Sequence, residues 1–262
     1  MGTDIHVFAE SREGAGEEWR FLPVPDKTGV RYDTPVPEGE PRYRYYDKEA
    51  EGGKVEIGGE RSYLRSWISD RNYRLFAYLA DVRNGYGFAG VDTGEPVQPF
   101  ADPRGWPQDL SPELREEEEL IEHDPTWFTV QEIQDFFAGL EGDQEVVGVM
   151  SARQFEALEE GAAPESYSAG IYGRDIITLE QDEYLAYKKA GKLSWRNVAD
   201  EHIRVRVEED DGTHATKEVY VRMRWRVPKV QAFTAFNDCM QEILDVAKAG
   251  AEDVRVLIYF DS

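Results

Sequence analysis

The sequence predicts an α+β fold, a mixed or antiparallel sheet built from strands at the two ends of the chain with helices packed on it and long loops between. Three observations lead there. Asp4-Ile5-His6-Val7-Phe8-Ala9-Glu10 alternates with the period of a half-buried strand, and Val254 to Phe260 is a second strand-like apolar run at the far end. The middle carries helical spacing instead, as in Leu75, Phe76, Leu79 and Val82. Strand and helix signals show no regular alternation, so a doubly wound parallel sheet is disfavoured. At 262 residues the chain is expected to form a single domain over 1–262, with a loop-rich insertion at 23–61.

Successive strand side chains point to opposite faces, so Ile5, Val7 and Ala9 share one side of the first strand and Asp4, His6, Phe8 and Glu10 the other. Gly14-Ala15-Gly16 supplies a turn into its hairpin partner, Glu18-Trp19-Arg20-Phe21-Leu22. The insertion is rich in Pro, Gly and charge and holds Arg42-Tyr43-Arg44-Tyr45-Tyr46, with at most short strands expected. Ser69-Asp70 reads as the N-cap of a helix running to Asn84, which Gly85 stops. Ser111-Pro112 starts another helix, and the run Glu116-Glu117-Glu118-Glu119 reads as its solvated face. Thr129 and Glu132 form a capping box for the next, with His123-Asp124-Pro125 between these two helices. Glu145 to Met150 is a buried strand and Ser151 caps a short helix. Thr178 with Gln181 is expected to cap another helix. His202 to Val207 and Val219 to Val227 read as a long hairpin around Asp210-Asp211-Gly212. Helix Val230 to Ala249 precedes the last strand.

Fifty-three acidic against 30 basic residues leave a formal charge of −23, which disfavours nonspecific binding to nucleic-acid phosphates. Solubility or adaptation to high salt explains such acidity most simply. The alternatives are a surface aimed at a basic protein partner or mimicry of DNA. Cys239 stands alone, so no intramolecular disulfide can form and a reducing cytoplasm is the expected compartment. No apolar stretch is long enough to span a bilayer and the N-terminus does not read as a signal peptide, so no membrane partner is expected.

Two constellations could carry chemistry. In the predicted hairpin Arg222, Arg224 and Arg226 share a face, and Arg204 and Arg206 repeat the pattern on its partner. Guanidiniums crowded on one face need anions. Acidic helices lying across them would neutralise the charge; a phosphate or carboxylate ligand would do so functionally, with Tyr220 available to stack. Arg71, Arg74 and Arg83 could add to such an anion site, or pair along their own helix surface. Asp4 and His6, two apart on a strand, could share a divalent metal if His123 or Asp261 completed the shell, with a bound water as nucleophile. The plainer reading is a half-buried histidine bonded to Asp4. The chain has no GxSxG, no phosphate-binding glycine loop and no CxxC pair, so serine hydrolysis, nucleotide hydrolysis and dithiol redox chemistry lack their usual support.

Several separated segments together resemble an uncharacterised family of bacteriophage and prophage proteins that begin with a Met-Gly-x-Asp-Ile-His strand. They are Met1 to His6, Arg71-Asn72-Tyr73 through Val82-Arg83-Asn84, Pro103-Arg104-Gly105-x-Pro107, Thr126-Trp127-Phe128-Thr129 and Val254 to Asp261. That family often shows two histidines ahead of the fourth segment; here the first falls at His123 and the second position is Pro125. The resemblance implies a viral accessory protein acting in the host cytoplasm and carries over no activity. The leading expectation is binding of a phosphorylated small molecule, a nucleotide-type immune signal, to counter host defence. The alternatives are a metal-dependent hydrolase using Asp4 and His6, and an acidic inhibitor that docks on a host defence protein or mimics DNA.

Overall fold

The structure is a computed structural model. It describes residues 3–25, 43–46, 54–56, 66–68, 71–118, 123–161, 167–195, 203–208 and 213–261. The fold is α+β, as the sequence predicts. The chain groups into two compact units, one formed by residues 1–84, 98–141 and 229–262 and the other by 85–97 and 142–228. Most of the 23–61 insertion lies outside the described residues; within it β3 (Tyr43–Tyr46) pairs antiparallel with β4 (Lys54–Glu56).

The first unit is built on an antiparallel sheet of order β2-β1-β11-β5, comprising β1 (Asp4–Ser11), β2 (Arg20–Phe21), β5 (His123–Thr129) and β11 (Val254–Asp261). The two ends of the chain are therefore hydrogen-bonded neighbours, in register from Asp4 opposite Asp261 to Ser11 opposite Val254. One face of the sheet carries Ile5, Val7, Ala9, Val256, Ile258 and Phe260, all buried. Against it stand α1 (Tyr73–Ala80), with Phe76 5.1 Å from Phe260 between ring centroids, and α3 (Val130–Ala138), whose Phe137 lies 6.3 Å from Phe236 of α6 (Thr234–Ala247). The other face is covered too: Phe8 and Leu257 pack with Leu110 and with Leu114 of α2 (Pro112–Glu118). Burial of both faces explains why β1 carries a run of four buried residues from Val7 to Glu10 rather than the alternation of a one-sided strand.

The second unit centres on the 15-residue β10 (His214–Pro228). It pairs antiparallel with β6 (Asp143–Ser151) along Tyr220–Pro228 and with β9 (Ile203–Glu208) along His214–Glu218, and parallel with β7 (Ile176–Glu180) along Glu218–Arg222. β8 (Leu193–Trp195) extends the sheet beyond β9. Val219, Val221 and Met223 of β10 enter a core with Phe155 of α4 (Ala152–Glu159) and Tyr184 of α5 (Gln181–Lys189).

Several boundaries differ from expectation for local physical reasons. Ser69 and Asp70 lie outside the described residues, and α1 is capped by Asn72, whose side chain accepts from the Leu75 amide at 3.2 Å. The helix ends before Gly85, because Asp81 already adopts the left-handed conformation at φ 60°. Thr178 lies inside β7; the cap of α5 is Glu180, which forms a capping box with Glu183. His123-Asp124-Pro125 opens strand β5 rather than a loop between helices, stabilised by pairing with β11 and kinked where Asp124 takes φ 48°. The turn 209–212 lies outside the described residues. β9 lies opposite His214–Glu218 rather than the arginine-rich stretch, so Arg204 faces Glu218 and Arg206 faces Thr216.

Candidate functional site

Register places Arg204, Arg206, Tyr220, Arg222, Arg224 and Arg226 on one face of β9 and β10. Three of the arginines meet anions or carbonyls of their own unit. Arg224 binds Asp92, and Glu145 at 2.9 Å. Arg226 lies 4.0 Å from Glu95 and donates to the Asp143 carbonyl at 2.9 Å. Arg222 lies 3.8 Å from Glu180 and donates to the Ala169 carbonyl at 3.3 Å. These carboxylates come from the 85–97 segment, β6 and the end of β7, not from helices lying across the face. Glu218 beside Tyr220 pushes the phenol up to about 12, first through a hydrogen bond to the carboxylate and then through burial and charge.

Arg222 differs from Arg224 and Arg226 in its surroundings. It lines a cleft of about 450 Å³ whose other walls are Thr178, Glu180, Ile176 and Ile177 of β7 and the segment Gly170-Ile171-Tyr172-Gly173. The Arg222 side chain is 24% exposed against 57% for Arg224 and 58% for Arg226, so its charge works with less solvent screening. Tyr172 is 80% exposed at the rim. Its phenol folds back over Gly170, where a β-carbon would lie 2.9 Å from the hydroxyl. A guanidinium, a hydroxyl and a carboxylate line the cleft together with an exposed aromatic ring and aliphatic side chains, a mixture of apolar and convergent polar groups found in small-molecule sites. Arg222 belongs to the predicted ligand set; Tyr172, Thr178 and Glu180 do not. A tyrosine between two glycines within four residues is the signal that could have pointed to this rim.

The first unit holds the other candidates. Asp4 accepts two bonds from Arg71, 2.5 Å from Nε and 3.0 Å from Nη2. That hydrogen bond, outweighing burial, holds the Asp4 carboxyl below its usual range. The His6 ring stacks on Tyr259 at 4.6 Å and 11° between planes. Pairing sets Asp4 opposite Asp261 and His123 opposite Phe260, so these positions share one end of the sheet. The Asp261 side chain lies outside the described residues. Among the described residues no three His, Cys, Asp or Glu side chains form a group that could hold a metal ion. Arg71 lies just ahead of α1 and Arg74 within it, in this unit rather than with the hairpin arginines. The candidate residues read from the sequence thus fall into two groups, one in each unit.

Comparison with known proteins adds no identification: no family model, no curated protein and no solved structure matches the chain.

Proposed function

We propose that the chain binds a small phosphorylated molecule in the Arg222 cleft. The observation that carries the reading is the position of Arg222, a guanidinium of the arginine face that lines a concave site and is less exposed than Arg224 and Arg226. Arginine's planar fork is suited to a phosphate, and the neighbouring Thr178 hydroxyl can donate a further bond. A nucleotide-type ligand fits the combination of one cation and one aromatic wall. The resemblance of Met1 to His6, Arg71 to Asn84 and Val254 to Asp261 to phage proteins supplies the setting we propose with it, a viral protein that sequesters a nucleotide immune signal in the host cytoplasm. Isothermal titration against mononucleotides and cyclic nucleotides tests the binding. Heat with at least one of them, weakened roughly tenfold or more in Arg222→Ala, is expected for a charge-assisted contact. No heat with any member of the panel rejects the reading.

A further inference from the structure

We infer that Tyr172 is the specificity-determining residue of the Arg222 cleft and that the ligand class is a nucleoside monophosphate, free or as a cyclic ester. The inference rests on the proposed anion site and adds which anion it takes.

The charge balance of the cleft limits the ligand's phosphates. Arg222 is the one guanidinium or ammonium among the described residues that line it, and Glu180 stands 3.8 Å from it. Glu180 is the N-cap residue of α5, its amide donating to the Glu183 carboxylate at 3.1 Å, which keeps its own carboxylate at the same wall as Arg222. One phosphate can pair with Arg222, whereas a polyphosphate would bring further negative charges against Glu180 without a second cation to receive them. The same carboxylate accepts hydrogen bonds from a sugar hydroxyl or an exocyclic amine.

The rim selects for a ring. A tyrosine 80% exposed leaves most of its surface in water, and that surface is available to stack on a planar base. The segment is shaped around the side chain: at Gly170 a β-carbon would fall 2.9 Å from the Tyr172 hydroxyl and 3.0 Å from the ring edge, and at Gly173 one would fall 2.9 Å from Ile176. Glycine at 170 is therefore what lets the phenol lie back against the backbone. Because the colliding atoms belong to the far end of a flexible side chain, a methyl group there moves the ring rather than the sheet. Gly170→Ala displaces Tyr172 without removing it or touching Arg222.

The experiment is isothermal titration of the full chain with adenosine monophosphate, ribose phosphate, inorganic phosphate and adenosine triphosphate, on the wild type and on Tyr172→Ala, Tyr172→Phe, Gly170→Ala and Arg222→Ala. Tyr172 is exposed, so its removal should leave the melting temperature unchanged. Adenosine monophosphate is expected to bind at least roughly fivefold more tightly than ribose phosphate, the scale of one base stacked on an aromatic side chain. Tyr172→Ala should erase that preference while leaving ribose phosphate affinity unchanged. Tyr172→Phe should keep the preference and Gly170→Ala reduce it. Equal, Arg222-dependent binding of both phosphates would overturn the role of Tyr172 and leave the anion site standing. Tighter binding of the triphosphate would overturn the one-phosphate limit. Absence of Arg222-dependent binding by any of the four would remove the anion site itself.

Discussion

At the scale of single residues, Arg255 and Glu10 stand out as a charged pair sunk in the first unit, 1% and 0% exposed and 2.6 Å apart. Arg255 also binds the Asp109 carboxylate at 2.7 Å and its carbonyl at 3.0 Å, while Glu10 accepts from the Ser111 amide at 2.7 Å. The guanidinium lies 4.3 Å from the Trp19 ring and 5.6 Å from Trp127. Arg12 reaches Trp19 at 4.6 Å and Arg104 reaches Trp127 at 5.1 Å, so arginines and tryptophans alternate along this face of the sheet. Removing water from two charges is costly, and here the loss is offset because nearly every donor finds an acceptor and indole π-faces take the place of solvent. Arg255→Met should therefore destabilise the chain by about 3–5 kcal/mol in urea unfolding, since it strands the Glu10 carboxylate in the core. Adding Glu10→Gln should recover part of that loss. A single variant as stable as wild type would show that the pair is not a working contact.

Elements are set by caps and by close approaches of backbone. Thr129 and Glu132 form the predicted capping box of α3, and Arg104 grips the same Glu132 carboxylate at 2.9 and 3.1 Å. Burial works against that carboxylate, but Arg104 and the Thr129 amide together hold it below its usual range. Glu132→Ala removes a cap bond and a half-exposed ion pair, and about 1 kcal/mol of stability should go with them in chemical unfolding. In the second unit the outer edge of β6 is closed by irregular chain: Glu95 donates to the Glu145 carbonyl at 3.1 Å, and Val147 donates to the Thr93 carbonyl at 2.9 Å. Gly94 makes that approach possible, at φ +119° with its missing β-carbon against the Glu145 carbonyl and 2.7 Å from the Val146 α-carbon. These are backbone atoms that cannot step aside. Gly94→Ala should lower the melting temperature by several degrees and raise amide exchange along β6, whereas Gly105→Ala, with open space around it, carries the strain of φ +69° alone and should cost less.

For the molecule as a whole, a charge of −23 repels itself, and moderate salt should raise thermal stability by screening that repulsion. Acid acts through particular groups. Asp4, Asp109 and Glu132 all have carboxyls held below their usual values; burial works against ionised Asp109, but Arg255 together with hydrogen bonds from the Asp109 backbone and Trp19 outweighs it. A carboxyl depressed in the folded state stabilises the fold fully above its unfolded value, and that contribution is lost as pH falls through the folded one. Stability in urea should thus hold down to about pH 5 and fall below about pH 4. Arg71→Ala, which frees Asp4, should shift the acid midpoint upward; an unchanged midpoint would mean that the Asp4–Arg71 pair is too solvated to matter. Among the described residues no helix is long and apolar enough to cross a membrane.

Signals that act over a few residues were legible in the chain itself: the α+β class, the terminal strands, the Thr129 capping box, the Ser151 cap and the one-sided arginines of β10. Each rests on side-chain period or on a hydrogen bond spanning three residues, which a neighbouring sequence encodes directly. What the tertiary structure alone decided is pairing. Nothing local says that β11 lies between β1 and β5, that Arg204 faces Glu218, or that Arg255 reaches Glu10 across 245 positions. Strand β5 shows why: its first residues carry a proline and a left-handed aspartate, and only the edge of β11 makes a strand of them. The cleft follows the same rule, since Arg222 and Tyr172 come together because β7 pairs in parallel beside β10, a choice made by packing between distant segments and not by the residues on either strand.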